Sequence, residues 1–509
     1  MKIIVHSSYS AQTIGANLGK AEYSYYFVLA GYLPALRRLG EVVTVDNPET
    51  EADAIYDAAQ AAGEACVFLC FAPPHLVPVT LRCPTIPVVA WEFSTIPCEM
   101  WSDDPRSDWR VVFSHCKRVI ALSHHTAALV RAAMGEDFPV FAIPTASYEA
   151  FADTGPARPV AEERVLHLRG YLFDSAADAR FSRNPPWPPV PAPAFVPQPP
   201  AVVRPPAPEP APAPARPALR KRISITVYYL RAWYHEVVRD VLPGPLTRFA
   251  SACGRFIYRS LRRGRATPPP VPPPAPVPPE CEVALGGVVY ASVFAPQDGR
   301  KNWQDLLSGF VWAFRDNPGA TLFLKTPVRG GVEAYPILHS ILSQFAPFKC
   351  RVVFFAGFLD DDQYRALVRA STYYVNCSHG EGLCLPLMEF LSAGRPAVAP
   401  EHTAMADYIE PNIGFVLRAS LEHNVWPFDP RDLFTTMRYR LDWESLVTAF
   451  EQSYALAATD AARYAAMGEA AQAAMRKFCT QELVQAKLSE ALGITSPAPV
   501  PQDAGMAVA

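Results

Sequence analysis

Twelve short apolar runs, separated by helical stretches, set what this 509-residue chain can fold into. Up to about residue 150 they read KIIVH, EVVTVD, ACVFLCF, IPVVAWEF, RVIALS and FPVFAI. From about 283 to 420 the pattern returns as GGVVYASVF, ATLFLKT, RVVFFAGF, YYVNCS, PAVAP and GFVL. Each run is continuously apolar rather than alternating, the mark of parallel strands covered on both faces. Helical stretches lie between them: YSYYFVLAGYLPALRRLG, ended by Gly40, then NWQDLLSGFVWAFRDN and DDQYRALVRAS. Strand–helix–strand alternation in two blocks predicts an α/β fold of two doubly wound, Rossmann-like domains facing a cleft.

Proline marks where that pattern stops. The chain has 54 prolines, and they cluster in NPPWPPVPAPAFVPQPPAVVRPPAPEPAPAPARP and TPPPVPPPAPVPPE. Such runs favour extended polyproline II and cannot build a core. Between them, from Leu219 to Ala266, eleven Lys or Arg stand against Glu236 and Asp240, interleaved with Tyr228, Tyr229, Trp233, Phe249, Phe256, Ile257 and Tyr258. That composition predicts basic amphipathic helices, broken at Pro243-Gly244-Pro245. The expected division is an N-terminal domain over 1–153, a proline-rich insert over 154–282, a C-terminal domain with a helical end over 283–492, and a disordered tail over 493–509.

The totals exclude some classes. A net charge of -3 gives no argument for nucleic acid. The 11 cysteines are scattered without zinc spacing; Cys66 and Cys70 share one apolar run, and free thiols in a reducing cytosol are expected. MKIIVHSS reads as a strand, without the basic start and apolar stretch of a secretory leader. No window of ~18 apolar residues suggests a membrane span.

In doubly wound folds the loops after strands carry the chemistry. One such loop, SHGEG, leads into a helix expected from Leu383 through LPLMEFLSAG to Gly394. A helix start offers free N–H groups and a positive dipole end, Gly382 permits close backbone approach, and Pro386 suits the first turn. Glu381 stands before this helix and Glu389 lies within it, on an apolar run where a carboxylate needs hydrogen-bond donors. A second loop, ASVFAPQDGRKNWQDLL, places the basic pair Arg300-Lys301 before another helix.

On these residues the sequence resembles the retaining GT-B glycosyltransferases of family 4 (glycosyltransferase group 1). Their hallmark is two glutamates with seven residues between them in a loop–helix setting, matched by Glu381 and Glu389; Ser378, SAGRPAVAP and DYIEPNIGFVL match its surroundings. The likeness covers 283–420 well, 1–150 in pattern only, and 154–282 not at all. It implies a GT-B architecture and transfer of a sugar from a nucleotide-diphosphate sugar to a glycan or lipid-linked saccharide, in cell-surface polysaccharide biosynthesis. It implies that Glu381 contacts the transferred sugar and that backbone amides around Gly382, Leu383, Cys384 and Leu385 hold sugar and diphosphate. Glu389 would bind the ribose hydroxyls, and Lys301 and Arg300 would neutralise the leaving diphosphate. The sequence departs from the family twice. Gly382-Leu383-Cys384 replaces Gly-Phe-Gly, and Ala295-Pro296 stand where the family has its upstream arginine.

Further candidates follow other strands. Gly15 and Gly19 suit a loop approaching donor or acceptor, and Glu92 takes a cleft-facing position where many relatives carry histidine. Lys325 ends a strand on the cleft side, with a cleft role and a surface salt bridge both open. His75 and Ser123 read as packing and capping residues, and Asp360 to Asp362 as the acidic cap of a helix rather than a metal site. No metal and no cofactor beyond the nucleotide-sugar are expected. The expected location is cytoplasmic; for the basic segment 218–266 peripheral contact with an anionic membrane at the inner face of the plasma membrane, nucleic-acid or partner binding, and a solvated linker all stay open. The alternative function is a nucleotide-sugar- or glycan-binding protein on a decayed scaffold.

Overall fold

A computed structural model describes residues 1–20, 22–178, 180–181, 278–427, 429, 431 and 433–494. The expected basic helices of the insert and residues 495–509 of the tail lie outside them. The first six apolar runs form one all-parallel sheet: β1 (Lys2–Ser7), β2 (Glu41–Thr44), β3 (Cys66–Phe71), β4 (Thr85–Val89), β5 (Val119–Ala121) and β6 (Val140–Ala142). Their order is β2-β1-β3-β4-β5-β6. Every residue of β3 and β4 is buried, as continuous apolarity requires when helices cover both faces. The Ser24–Leu39 helix covers one face, burying Tyr32, whose hydroxyl donates to the Ile143 carbonyl at 2.5 Å.

The second sheet contains β7 (Ala161–Asp174), β8 (Glu280–Val293), β9 (Ala320–Thr326), β10 (Arg351–Phe358), β11 (Tyr373–Val375), β12 (Ala397–Pro400) and β13 (Gly414–Leu417). Parallel pairing runs β13-β12-β11-β8-β9-β10. β8 is flanked by β9, to which the chain goes next, and by β11, to which it returns later. The strand order therefore reverses at β8. The two-sheet α/β architecture is the one the alternation predicts.

Four features differ from expectation. β7 lies inside the stretch assigned to the insert, yet it pairs antiparallel with β10 and with the first half of β8. The insert is thus bounded by strands of the C-terminal sheet, and the boundaries 154 and 282 are corrected accordingly. The reason is long-range pairing: AEERVLHLRGYLFD buries Leu166 and Leu168 while Val165, His167 and Arg169 face solvent, so it is not continuously apolar. Second, β14 (Ala419–Val425) and β15 (Thr435–Leu441) form an antiparallel hairpin in a stretch left unassigned. Third, the helix after SHGEG spans Leu385–Ser392, starting two residues later than expected because Cys384 is left-handed (φ 65°). Fourth, the last helix (Gln481–Leu492) does not stay with the C-terminal sheet. Its Val484 and Leu488 join the core beside Leu36, and Lys487 Nζ donates to the Ala142 carbonyl at 3.3 Å.

Candidate active site

The loops after β8 and β11 meet where the strand order reverses, the place where open α/β sheets hold ligands. After β8, Asp298 caps a short turn over Gly299–Lys301 by accepting from the Arg300 N–H at 3.2 Å. The turn aims both cations at Glu381 in the loop after β11. Lys301 Nζ lies 2.8 and 2.9 Å from the two carboxylate oxygens, and Arg300 Nη1 donates to one of them at 3.1 Å. Ser378 Oγ donates at 2.5 Å and Asn376 Nδ2 at 3.2 Å. The Glu381 N–H donates to Thr403 Oγ1 at 2.9 Å. Only 5% of the Glu381 side chain is exposed. Burial alone would raise this carboxyl, but Lys301 and Arg300 outweigh it and hold it well below the usual range. Burial opposes the charge of Arg300 as well, and Glu92, Asp298 and Glu381 more than restore it.

Arg300 is the hub. Besides Glu381 it donates to the Gly380 carbonyl (2.5 Å) and to Asp298 (2.9 Å), and its Nε lies 3.2 Å from Glu92 of the N-terminal domain. So Glu92 meets the Arg300–Lys301–Glu381 cluster directly. Burial raises its carboxyl, with Arg300 pulling the other way. Tyr23, absent from the sequence reading, lies within the field of the same four charged groups, Lys301, Asp298, Glu381 and Arg300.

The hairpin closes the cluster from another side. Tyr439 N–H donates to the His379 carbonyl at 2.9 Å, His379 Nδ1 lies 2.8 Å from the Tyr439 carbonyl, and the His402 ring stacks on Tyr439 at 4.3 Å. Burial pushes the His402 imidazole down to about 4. The far end of the hairpin lies on the N-terminal domain, where Thr95 Oγ1 donates to Thr436 Oγ1 at 2.9 Å. Sequence reading missed Asp298, Asn376, His379, His402, Thr403 and Tyr439. The period-2 pattern of TTMRYRL was the one local signal for the last of these.

Glu389 sits apart, on the Leu385–Ser392 helix, where Tyr364 OH donates to it at 2.5 Å. Burial, with Asp361 adding to it, raises this carboxyl to about 7 despite the Tyr364 bond. A carboxyl raised on folding favours the native state below its unfolded value, and that advantage is lost as pH rises through the folded value. Wild type should therefore lose on the order of 2 kcal/mol relative to Glu389→Gln between about pH 4.5 and 8, discounted for partial exposure. Paired denaturant titrations across that range check it, and parallel pH profiles would refute it.

The other candidates divide. Cys384 is buried and takes the positive φ at which glycine is favoured; Asn376 Nδ2 lies 3.1 Å from its sulfur. The Leu383 carbonyl accepts from Tyr408 OH at 2.8 Å, Leu385 opens the helix, and Gly382 packs against the end of β4. Gly19 (φ 80°) lies at the seam between the domains, its carbonyl taking Gln297 Nε2 at 3.1 Å. Gly15 is exposed in the Ile14–Asn17 turn, with nothing within 4 Å of where a Cβ would stand and no bond to the Arg300–Lys301–Glu381 cluster among the described residues. Lys325, at the end of β9, has no acidic partner among the described residues, and burial lowers its ammonium to about 8, so the surface salt bridge is not formed. Ser123 caps a helix through Thr126 N–H (3.1 Å), and His75 packs edge-on to Trp101. Asp360 makes a full capping box with Gln363, as expected. Among the described residues every cysteine is a free thiol, no three His, Cys, Asp or Glu side chains gather as a metal site, and no helix is long and apolar enough to cross a membrane.

No protein-family model and no curated protein sequence matches the chain. Solved structures with a similar chain path include a glycosyltransferase from Rickettsia africae (10% identity, 96% of this chain and 97% of that one, TM-score 0.49). Sucrose-phosphate synthase from Thermosynechococcus elongatus is similar at 12% identity over 96% and 98% (TM-score 0.48). Anabaena Alr3699/HepE in complex with UDP and glucose is similar at 12% identity over 97% and 99% (TM-score 0.46).

Proposed function

We propose that the chain is a glycosyltransferase that moves a sugar from a nucleotide-diphosphate sugar to a glycan or lipid-linked saccharide, with retention of configuration. The observation that carries this reading is the buried Glu381 carboxylate held by Lys301 and Arg300 at the strand-order reversal of the C-terminal sheet. Glu381 would hold a hydroxyl of the transferred sugar. Lys301 and Arg300 would meet the charge that grows on the departing diphosphate, an effect greatest in the transition state, so no metal is needed. Glu389 would take the ribose hydroxyls, and its bond from Tyr364 OH supports its competence to accept from a hydroxyl. Attack from the face that the diphosphate leaves would preserve configuration. Contact of residues 218–266 with an anionic membrane would bring the enzyme to lipid-linked acceptors.

The test is incubation with UDP-, GDP- and ADP-sugars and a glycan acceptor, with and without EDTA. Wild type should transfer from one donor class, EDTA should leave the rate unchanged, and Lys301→Ala should lose on the order of 10²-fold or more. No transfer by wild type from any donor would end the assignment, and equal transfer by wild type and variant would remove Lys301 from the reaction. A second reading, donor or glycan binding without turnover, is favoured by Glu92 on Arg300; binding with neither transfer nor hydrolysis would select it.

A further inference from the structure

We propose that Glu92 gates the donor site: its carboxylate occupies the side of Arg300 that a diphosphate must take, so donor binding and separation of the two domains are one coupled step. The inference rests on the function proposed above. A guanidinium has a fixed fork of donors, and all three Arg300 nitrogens are engaged: Nε with Glu92 (3.2 Å), Nη2 with Asp298 (2.9 Å), and Nη1 with Glu381 and the Gly380 carbonyl. Lys301 Nζ spans both oxygens of Glu381. Three carboxylates thus face two cations. An incoming diphosphate meets cations already neutralised and an excess of negative charge.

The three carboxylates are not equivalent. Asp298 caps the turn that carries Arg300, and Glu381 is tied to Ser378, Asn376 and Thr403 of its own domain. Glu92 alone comes from the other domain, so it alone leaves when the domains part. Packing says the same. A Cβ at Gly380 would collide with the Glu92 carbonyl oxygen, and one at Gly382 would stand 2.8 Å from Ala90 Cβ and 3.3 Å from the Trp91 nitrogen. The loop that would hold the sugar lies directly on Ala90–Glu92, with no room for a hexose between them. Glycine at both positions is what allows that approach, so the closed contact is built into the sequence.

The experiment measures calorimetric binding of pyrophosphate, a probe independent of the donor base, to wild type and Glu92→Gln. Small-angle scattering of both proteins, with and without pyrophosphate, reads domain separation. Removing the competing charge should tighten pyrophosphate binding about tenfold, because a larger fraction of molecules is binding-competent. Pyrophosphate should increase the radius of gyration of wild type. Equal or weaker binding by a folded Glu92→Gln, or unchanged dimensions of wild type at saturation, overturns the gate and leaves the proposed function standing. Absence of pyrophosphate binding by both proteins overturns the gate, and the proposed function falls with it only if wild type also fails to transfer from every donor.

Discussion

Glu381→Ala should abolish transfer and weaken the fold at once. The carboxylate is the shared acceptor of Lys301, Arg300, Ser378 and Asn376, and 5% of its side chain is exposed. Removing it leaves the largely buried Lys301 without its main counter-charge, while Arg300 keeps Glu92 and Asp298; deleting one partner of a buried pair costs about 3–5 kcal/mol. The rate should fall on the order of 10²–10³-fold, the usual cost of losing one preorganised polar group from such a site. Glu381→Gln separates the two effects. It keeps the shape and can still accept from Ser378 or Asn376, so its melting temperature should lie between those of wild type and Glu381→Ala while its rate stays low. Turnover within tenfold of wild type in a folded Glu381→Gln would remove Glu381 from the reaction.

Trp426→Ala should release the β14–β15 hairpin. Trp426 is 3% exposed and sits between the two strands, with its ring 5.1 Å from Trp101, 5.9 Å from Trp91 and 5.9 Å from Phe434. Truncating a buried tryptophan costs about 3–5 kcal/mol. Here that loss falls on one docking contact between hairpin and N-terminal domain. The opposite end of the hairpin is paired to the Glu381 loop through His379 and Tyr439, so undocking should loosen the site as well. Limited proteolysis should cut the variant first within 419–441, and transfer should fall with it. Wild-type resistance at those residues would show that the aromatic contact does not hold the hairpin.

The parts of this molecule legible in the sequence are those set by local rules. Continuous apolar runs became parallel strands, fully buried in β3 and β4, Gly40 ended its helix, and Asp360 capped one. Glu381, Lys301 and Arg300 could be named because each follows a strand in a stretch that resembles a known family's motif, and the topology brings such loops together. What was not legible depends on distant partners. β7 alternates, with charge outward, and gains its place from β8 and β10. The bond from Glu92 to Arg300 joins two domains, and no local pattern encodes it. Gly15 shows the converse: a glycine in a suggestive loop that the fold leaves at the surface.

The return of the last helix to the first domain constrains how the protein is made. A ribosome delivers residues 1–150 first, and domains generally begin folding as they emerge. Leu36 and the core around it cannot be fully covered until Val484 and Leu488 have been synthesised, because those side chains belong to the same apolar cluster. The N-terminal sheet therefore waits, partly uncovered, through the synthesis of some three hundred further residues, and its final burial and that of the chain's last helix are a single event.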